Sequence, residues 1–172
     1  MLRMRELTLQ VSKTLLAWVV AALVALSLGV AVYLFDRLPD DVYLMAPWME
    51  LGEQAHPVFG TAGNYLPTFS HVYVFILLTA ALAASSLRSA VIICVAWLVI
   101  DIAFELAQLP VVAQALTEFI PGWFSGIPVL ENVSNYFLSG TFDVLDIVSI
   151  AAGALTAYLT IFFSFRRATQ DD

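Results

Sequence analysis

The stretch I-D-I-A-F-E-L-A-Q, residues 100–108, decides the fold. It ends a long apolar run and carries Asp101, Glu105 and Gln108. Their spacings are four and three. At 100° per residue the three side chains fall within an arc of about 60° on one helix face. Cys94 and Trp97 extend that stripe toward the start of the helix. A carboxylate inside a membrane-spanning helix costs roughly 3 kcal/mol on insertion scales, so this face must look into protein or water rather than lipid.

The rest of the chain fits that setting. Of 172 residues, 61% are apolar and 12% charged, beyond the apolar share of a soluble domain. The apolar residues come in runs near the length that crosses a bilayer as a helix. The reading is an all-α integral membrane protein, a four-helix bundle forming a single domain over residues 1–172. Cys94 is the only cysteine, which rules out an internal disulfide and a paired-cysteine metal site.

The predicted spanning helices cover about 14–35, 69–87, 89–109 and 146–165. The first is too long for the apolar core of a secretory signal peptide and reads as a retained anchor. Two long connections separate the helices. Asp36–Thr68 holds four of the seven prolines, with Val42–Gln54, including Trp48 and Met49, as an interfacial piece. Val111–Phe142 is too apolar for a solvated loop, so Val111–Phe124 and Val129–Leu138 are expected on or dipping into the interface. Asp143 and Asp146 open the last helix, and Gly153, Ala154 and Ala157 give it a small-residue face suited to close helix approach. Six of the seven basic residues (Arg3, Arg5, Lys13, Arg88, Arg166 and Arg167) lie in the tails and the short turn, and only Arg37 lies in a long loop. The positive-inside rule then predicts cytoplasmic termini and two long extracytoplasmic loops.

This topology gathers the polar residues. His71 begins the second helix, Gln108, Glu105 and Asp101 lie progressively deeper in the third, and Asp143 and Asp146 open the fourth. Counted from Gln108, Glu105 is about 6 Å and Asp101 about 12 Å down the helix. Three helices thus place ionisable groups in the outer half, which predicts a shared outward-facing polar pocket.

His71 at a helix start, E-x-x-Q at Glu105–Gln108, and D-x-x-D at Asp143–Asp146 followed by a small-residue helix resemble, in order and spacing, the VanZ-like family of small bacterial membrane proteins. The resemblance covers roughly residues 66–160. It implies a multi-pass protein of the bacterial cytoplasmic membrane that serves the cell envelope. The family's founding member is linked to lowered sensitivity to a lipid-tailed glycopeptide antibiotic. The resemblance supplies no biochemical activity. The chain departs from the family in three places. Pro67–Ser70 stand where a Lys often precedes the His, Gly140–Phe142 where an Arg often precedes the first Asp, and Ile150 where an Asn is usual. The outer site has therefore lost basic partners and an amide.

The candidate chemistry is acid–base. Glu105, His71 and Asp146 are the candidate catalytic groups, since burial moves a carboxyl toward neutrality and suits proton transfer. Gln108, Asp143 and Asp101 are candidate ligand-binding groups. Each has a structural alternative: an interhelical hydrogen bond for Glu105, a helix cap for Asp143, and for Asp101 a bond to a hydroxyl such as Ser27 or Thr79. His71, Glu105, Asp143 and Asp146 together would suit a divalent cation with mixed nitrogen and oxygen ligands, or else His71 pairs with a carboxylate without metal. The absence of an outer Arg or Lys cluster disfavours direct phosphate binding, and the acidic outer face argues against nucleic acid. The expected partner is a membrane lipid or lipid-linked envelope component. The alternative is a non-catalytic subunit or assembly factor whose polar face packs on other membrane protein subunits.

Overall fold

The structure, a computed structural model, describes residues 2–36, 57–128 and 130–170. The interfacial piece expected at Val42–Gln54 lies outside the described residues. Among the described residues six α-helices follow in order: α1 Leu2–Asp36, α2 Leu66–Ala83, α3 Leu87–Leu106, α4 Pro110–Glu118, α5 Val133–Ser139 and α6 Val144–Gln170. No strand occurs among the described residues. The segments Lys13–Asp36, Leu66–Ala83, Leu87–Leu106 and Val144–Arg167 are each long and apolar enough to cross a membrane. The described residues are therefore all-helical, with four membrane-competent helices.

Local chemistry sets the helix ends, several residues from where the charge pattern placed them. Between α2 and α3 the marker is Ser86 rather than Arg88. The Ser86 hydroxyl accepts from the Ser89 amide, while Ser89 Oγ accepts from the Ser86 amide, a reciprocal capping box. α2 consequently stops at Ala83 and α3 starts at Leu87. α3 stops at Leu106 because Pro110 opens α4, and Leu109 before it adopts extended backbone at ψ 130°. Two short helices, α4 and α5, occupy much of the connection that sequence places at the interface.

Helix α2 is the hub of the bundle, packing on α1, α6 and α3, while α3 also packs on α6. The core is built from small and branched residues: Ala22 and Ala25 of α1, Ile76, Leu77 and Ala80 of α2, Ala90 of α3, Ile150, Ala154, Ala157 and Ile161 of α6. Large residues such as Leu23, Val24, Ile92, Val95, Leu155 and Phe163 face outward, as helices solvated by lipid require. Hydrogen bonds tie the helices together within this apolar setting. Trp18 Nε1 of α1 donates to Ser164 Oγ of α6 at 3.0 Å, and Trp97 Nε1 of α3 donates to Thr79 Oγ1 of α2 at 3.0 Å.

Gly153 decides how close α6 comes to α2. A Cβ added there would lie 2.7 Å from the Phe69 carbonyl oxygen, a backbone atom that cannot move aside alone. Gly153→Ala is expected to force the two helices apart and to destabilise the bundle by about 1–3 kcal/mol. Unfolding of the detergent-solubilised protein by denaturant measures this, with Ala154→Gly as a control for helix propensity.

Candidate functional site

Four helix ends meet at the end of the bundle that carries both long connections: the C-termini of α1 and α3 and the N-termini of α2 and α6. The loop after α1 is anchored there by Asp36, whose carboxylate oxygens accept from the Val58 and Phe59 amides at 2.7 and 2.9 Å. Gly63 packs against the same carboxylate, and a Cβ there would come within 2.7 Å of it. These contacts fix where α2 begins and hence where its first turns present Thr68 and His71.

His71 and Asp101 face each other. Nδ1 of His71 lies 3.4 Å from Oδ1 of Asp101. Both residues sit five positions from the nearer helix end, Leu66 for one and Leu106 for the other, about 7–8 Å in. Asp101 therefore has a basic neighbour at its own level. The hydroxyls expected as its partners are engaged elsewhere: Ser27 Oγ donates to the Leu23 carbonyl, and Thr79 accepts from Trp97. The Asp101 side chain is 8% exposed and that of His71 53%. The second oxygen of Asp101, Oδ2, is buried and has no hydrogen-bond partner.

Glu105, one turn nearer the helix end, is tied to α6. Its Oε1 accepts from the Asp143 amide at 2.8 Å. Asp143 in turn caps α6, its Oδ1 accepting from the Leu145 amide at 2.8 Å. The carboxylate of α3 and the cap of α6 thus satisfy consecutive parts of one helix start. Asp146 accepts from the Thr68 hydroxyl at 2.9 Å, which joins α6 to α2. Gln108 Nε2 donates to the Tyr136 hydroxyl of α5 at 3.4 Å. Gly140 makes that approach possible, since a Cβ there would lie 2.5 Å from Gln108 Oε1.

These groups border a cavity of about 580 Å³. His71, Asp101, Glu105, Gln108 and Asp146 line it, together with Thr68, Ser70 and Tyr136. Asp143, whose carboxylate is used as a cap, is not among the lining residues. The sequence-predicted residues otherwise converge on one space. Trp97 and Glu105 both border it, so it extends along about 12 Å of α3 at roughly 1.5 Å per residue, and on to Gln108 beyond the helix end. Its remaining wall is apolar or aromatic: Leu26 and Tyr33 of α1, Phe75 of α2, Ile100 and Phe104 of α3. The Phe75 ring lies 4.7 Å from that of Trp97 and 4.5 Å from the His71 imidazole.

The set His71, Glu105, Asp143 and Asp146 does not assemble as metal ligands. Among the described residues no group of three or more His, Cys, Asp or Glu side chains is placed to hold a metal ion. The physical reason lies in the partners: His71 turns to Asp101, and Glu105 and Asp143 are engaged by backbone amides. Thr68 and Tyr136 are site residues that no charge pattern marks. Tyr136 lies outside the spanning helices. Burial, followed by the nearby Glu105 carboxylate, raises its phenol above the usual value.

No family model, no curated protein and no solved structure matches this chain.

Two outcomes follow from this geometry. Glu105→Ala strands the Asp143 amide and is expected to lower stability by about 1–3 kcal/mol, while Glu105→Gln keeps an acceptor and recovers most of it. Thermal unfolding of the two variants in one detergent measures the difference. Because the Tyr136 phenol is raised in the fold, the stability linked to it is fully present below about pH 10 and lost as pH rises through the folded value. Ultraviolet phenolate titration should show Tyr136→Phe removing a phenol that ionises later than the exposed tyrosines.

Proposed function

We propose that the chain is a VanZ-like membrane protein of the bacterial cell envelope whose cavity receives an amphiphilic or lipid-linked envelope component. The observation that carries this reading is the composition of the cavity wall. Polar groups from α2, α3, α5 and α6 line the cavity together with apolar and aromatic groups from α1, α2 and α3. A ligand complementary to such a wall has a polar head and an apolar body. The order of His71, Glu105–Gln108 and Asp143–Asp146 supports the family assignment, since these residues come to one end of one bundle.

In this reading both termini are cytoplasmic and the cavity opens toward the outer face. The placement of the basic residues supports that orientation. Glu105, His71 and Asp146 are the groups that would move a proton if the ligand reacts, with Gln108 orienting its head. The subunit reading requires Asp101 and Glu105 to be satisfied by a partner chain. Their burial within a single chain, at 7% and 6% exposure, weighs against it.

Native mass spectrometry of the protein released from its own membrane in a mild non-ionic detergent tests the reading. The expected spectrum shows the chain with one retained amphiphile, displaced when Ile100→Trp narrows the cavity. A spectrum with only the bare chain, or with a co-purifying polypeptide in place of an amphiphile, contradicts it. Orientation is tested separately in a Cys94→Ala background. Ser125→Cys should react with a membrane-impermeant maleimide on intact cells, and Ser85→Cys only after permeabilisation.

A further inference from the structure

Within that amphiphile reading, on which the inference rests, we propose that the cavity takes the primary-amine end of its ligand, which reaches it sideways from the lipid between α1 and α3, with Asp101 accepting from the ammonium.

The path follows from the packing. Helices α1 and α3 each pack on α2 but share no substantial interface with each other. Residues of both nevertheless border the cavity, so the space lies between them over one face of α2. The residues at this gap are exposed and apolar: Leu26 and Tyr33 on one side, Ile100 and Phe104 on the other, Phe75 behind. Apart from the Tyr33 phenol and the half-exposed His71 ring, the side chains here are apolar. This rim suits an aliphatic chain at membrane depth.

The head group follows from the unmatched atom. Glu105 and Asp146 each already accept a hydrogen bond from the protein. Asp101 has one oxygen beside His71 and a second without any partner. Leaving a buried carboxylate oxygen unmatched is costly, and a donor from a ligand removes that cost. Oδ2 is enclosed, and a partial rotation about the carboxyl torsion, which has a broad minimum, brings it to the cavity wall. His71, half exposed, sits beside this carboxylate where the ligand arrives.

Charge decides between donors. Three carboxylates line the cavity and no Lys or Arg does. An anionic head has no partner there, and a phosphate next to the amine would be repelled. A hydroxyl satisfies the hydrogen bond but brings no charge to a wall that holds three carboxyl groups. A protonated primary amine supplies both donor and charge.

The test uses the full chain in bilayer nanodiscs of neutral lipid and three probes with the same brominated tail: a primary amine, an alcohol and a trimethylammonium. Trp97 lines the cavity, so the signal is the bromine quenching of tryptophan fluorescence that Trp97→Phe abolishes. The expected result is saturable quenching by the amine, with the alcohol and the trimethylammonium weaker by roughly ten-fold. Asp101→Asn should bring the amine to the level of the alcohol. If all three probes bind alike and Asp101→Asn changes nothing, the amine assignment is overturned and the amphiphile cavity stands. If no probe quenches Trp97 beyond its partition into the lipid, both fail. Should Asp101→Asn not fold, the amine against the trimethylammonium, which cannot donate, decides the matter on the unaltered protein.

Discussion

The burial of Asp101 in an apolar helix is the constraint from which the rest of this bundle follows. A carboxylate placed one to two turns inside a spanning helix has no partner in lipid. The chain resolves this by setting His71 of α2 at the same level, 3.4 Å away. That pairing fixes how α2 lies along α3. Glu105, one turn nearer the end, then reaches α6 and receives the Asp143 amide. Two carboxylates on a single helix face thereby determine which helices surround α3 and at what height.

The same bundle is close-packed in one region and open in another, and residue size accounts for both. Gly153 lets α6 approach the α2 backbone, and alanines of α1, α2 and α6 fill the core. Near the connections the residues are larger and polar, and α1 and α3 do not close over α2. The cavity occupies the space left there. Thr68, Glu105, Gln108, Tyr136 and Asp146 in its wall are already held by hydrogen bonds within the protein, so their arrangement is preorganised rather than dependent on a ligand. Asp101 differs from its neighbours in holding a buried oxygen without a hydrogen-bond partner.

Much of this was legible from residue order. The 100–108 stripe, the four apolar runs and the recurrence of polar groups at one end of three helices lead to an all-helical bundle with a shared polar space. Asp143 as a cap was legible too, from its position before an apolar run. The partner of Asp101 was not. Its depth counted from Gln108 placed it beyond His71, whereas α3 ends at Leu106 and the two residues are level. The error came from both helices: the second was expected to start at 69 rather than Leu66, and the third to run to 109 rather than stop at Leu106. The Ser86–Ser89 capping box was present in sequence and outweighs Arg88 as a helix start. Thr68 and Tyr136 were illegible for another reason. A threonine in a first helical turn and a tyrosine in a connection are common, and only the packing of α6 and α5 on α2 and α3 makes them part of the site.

The contact between His71 and Asp101 is the most direct point at which to test this account. Solid-state NMR of the protein in bilayers, with ¹⁵N in histidine and ¹³C in the aspartate carboxyls, measures it through the dipolar coupling between the imidazole nitrogen and the carboxyl carbon. The account predicts a histidine–aspartate coupling in the unaltered chain that disappears in Asp101→Asn prepared with the same aspartate label. A spectrum with no such coupling, from protein shown to be folded, would contradict it, because this pair would then not set α2 against α3.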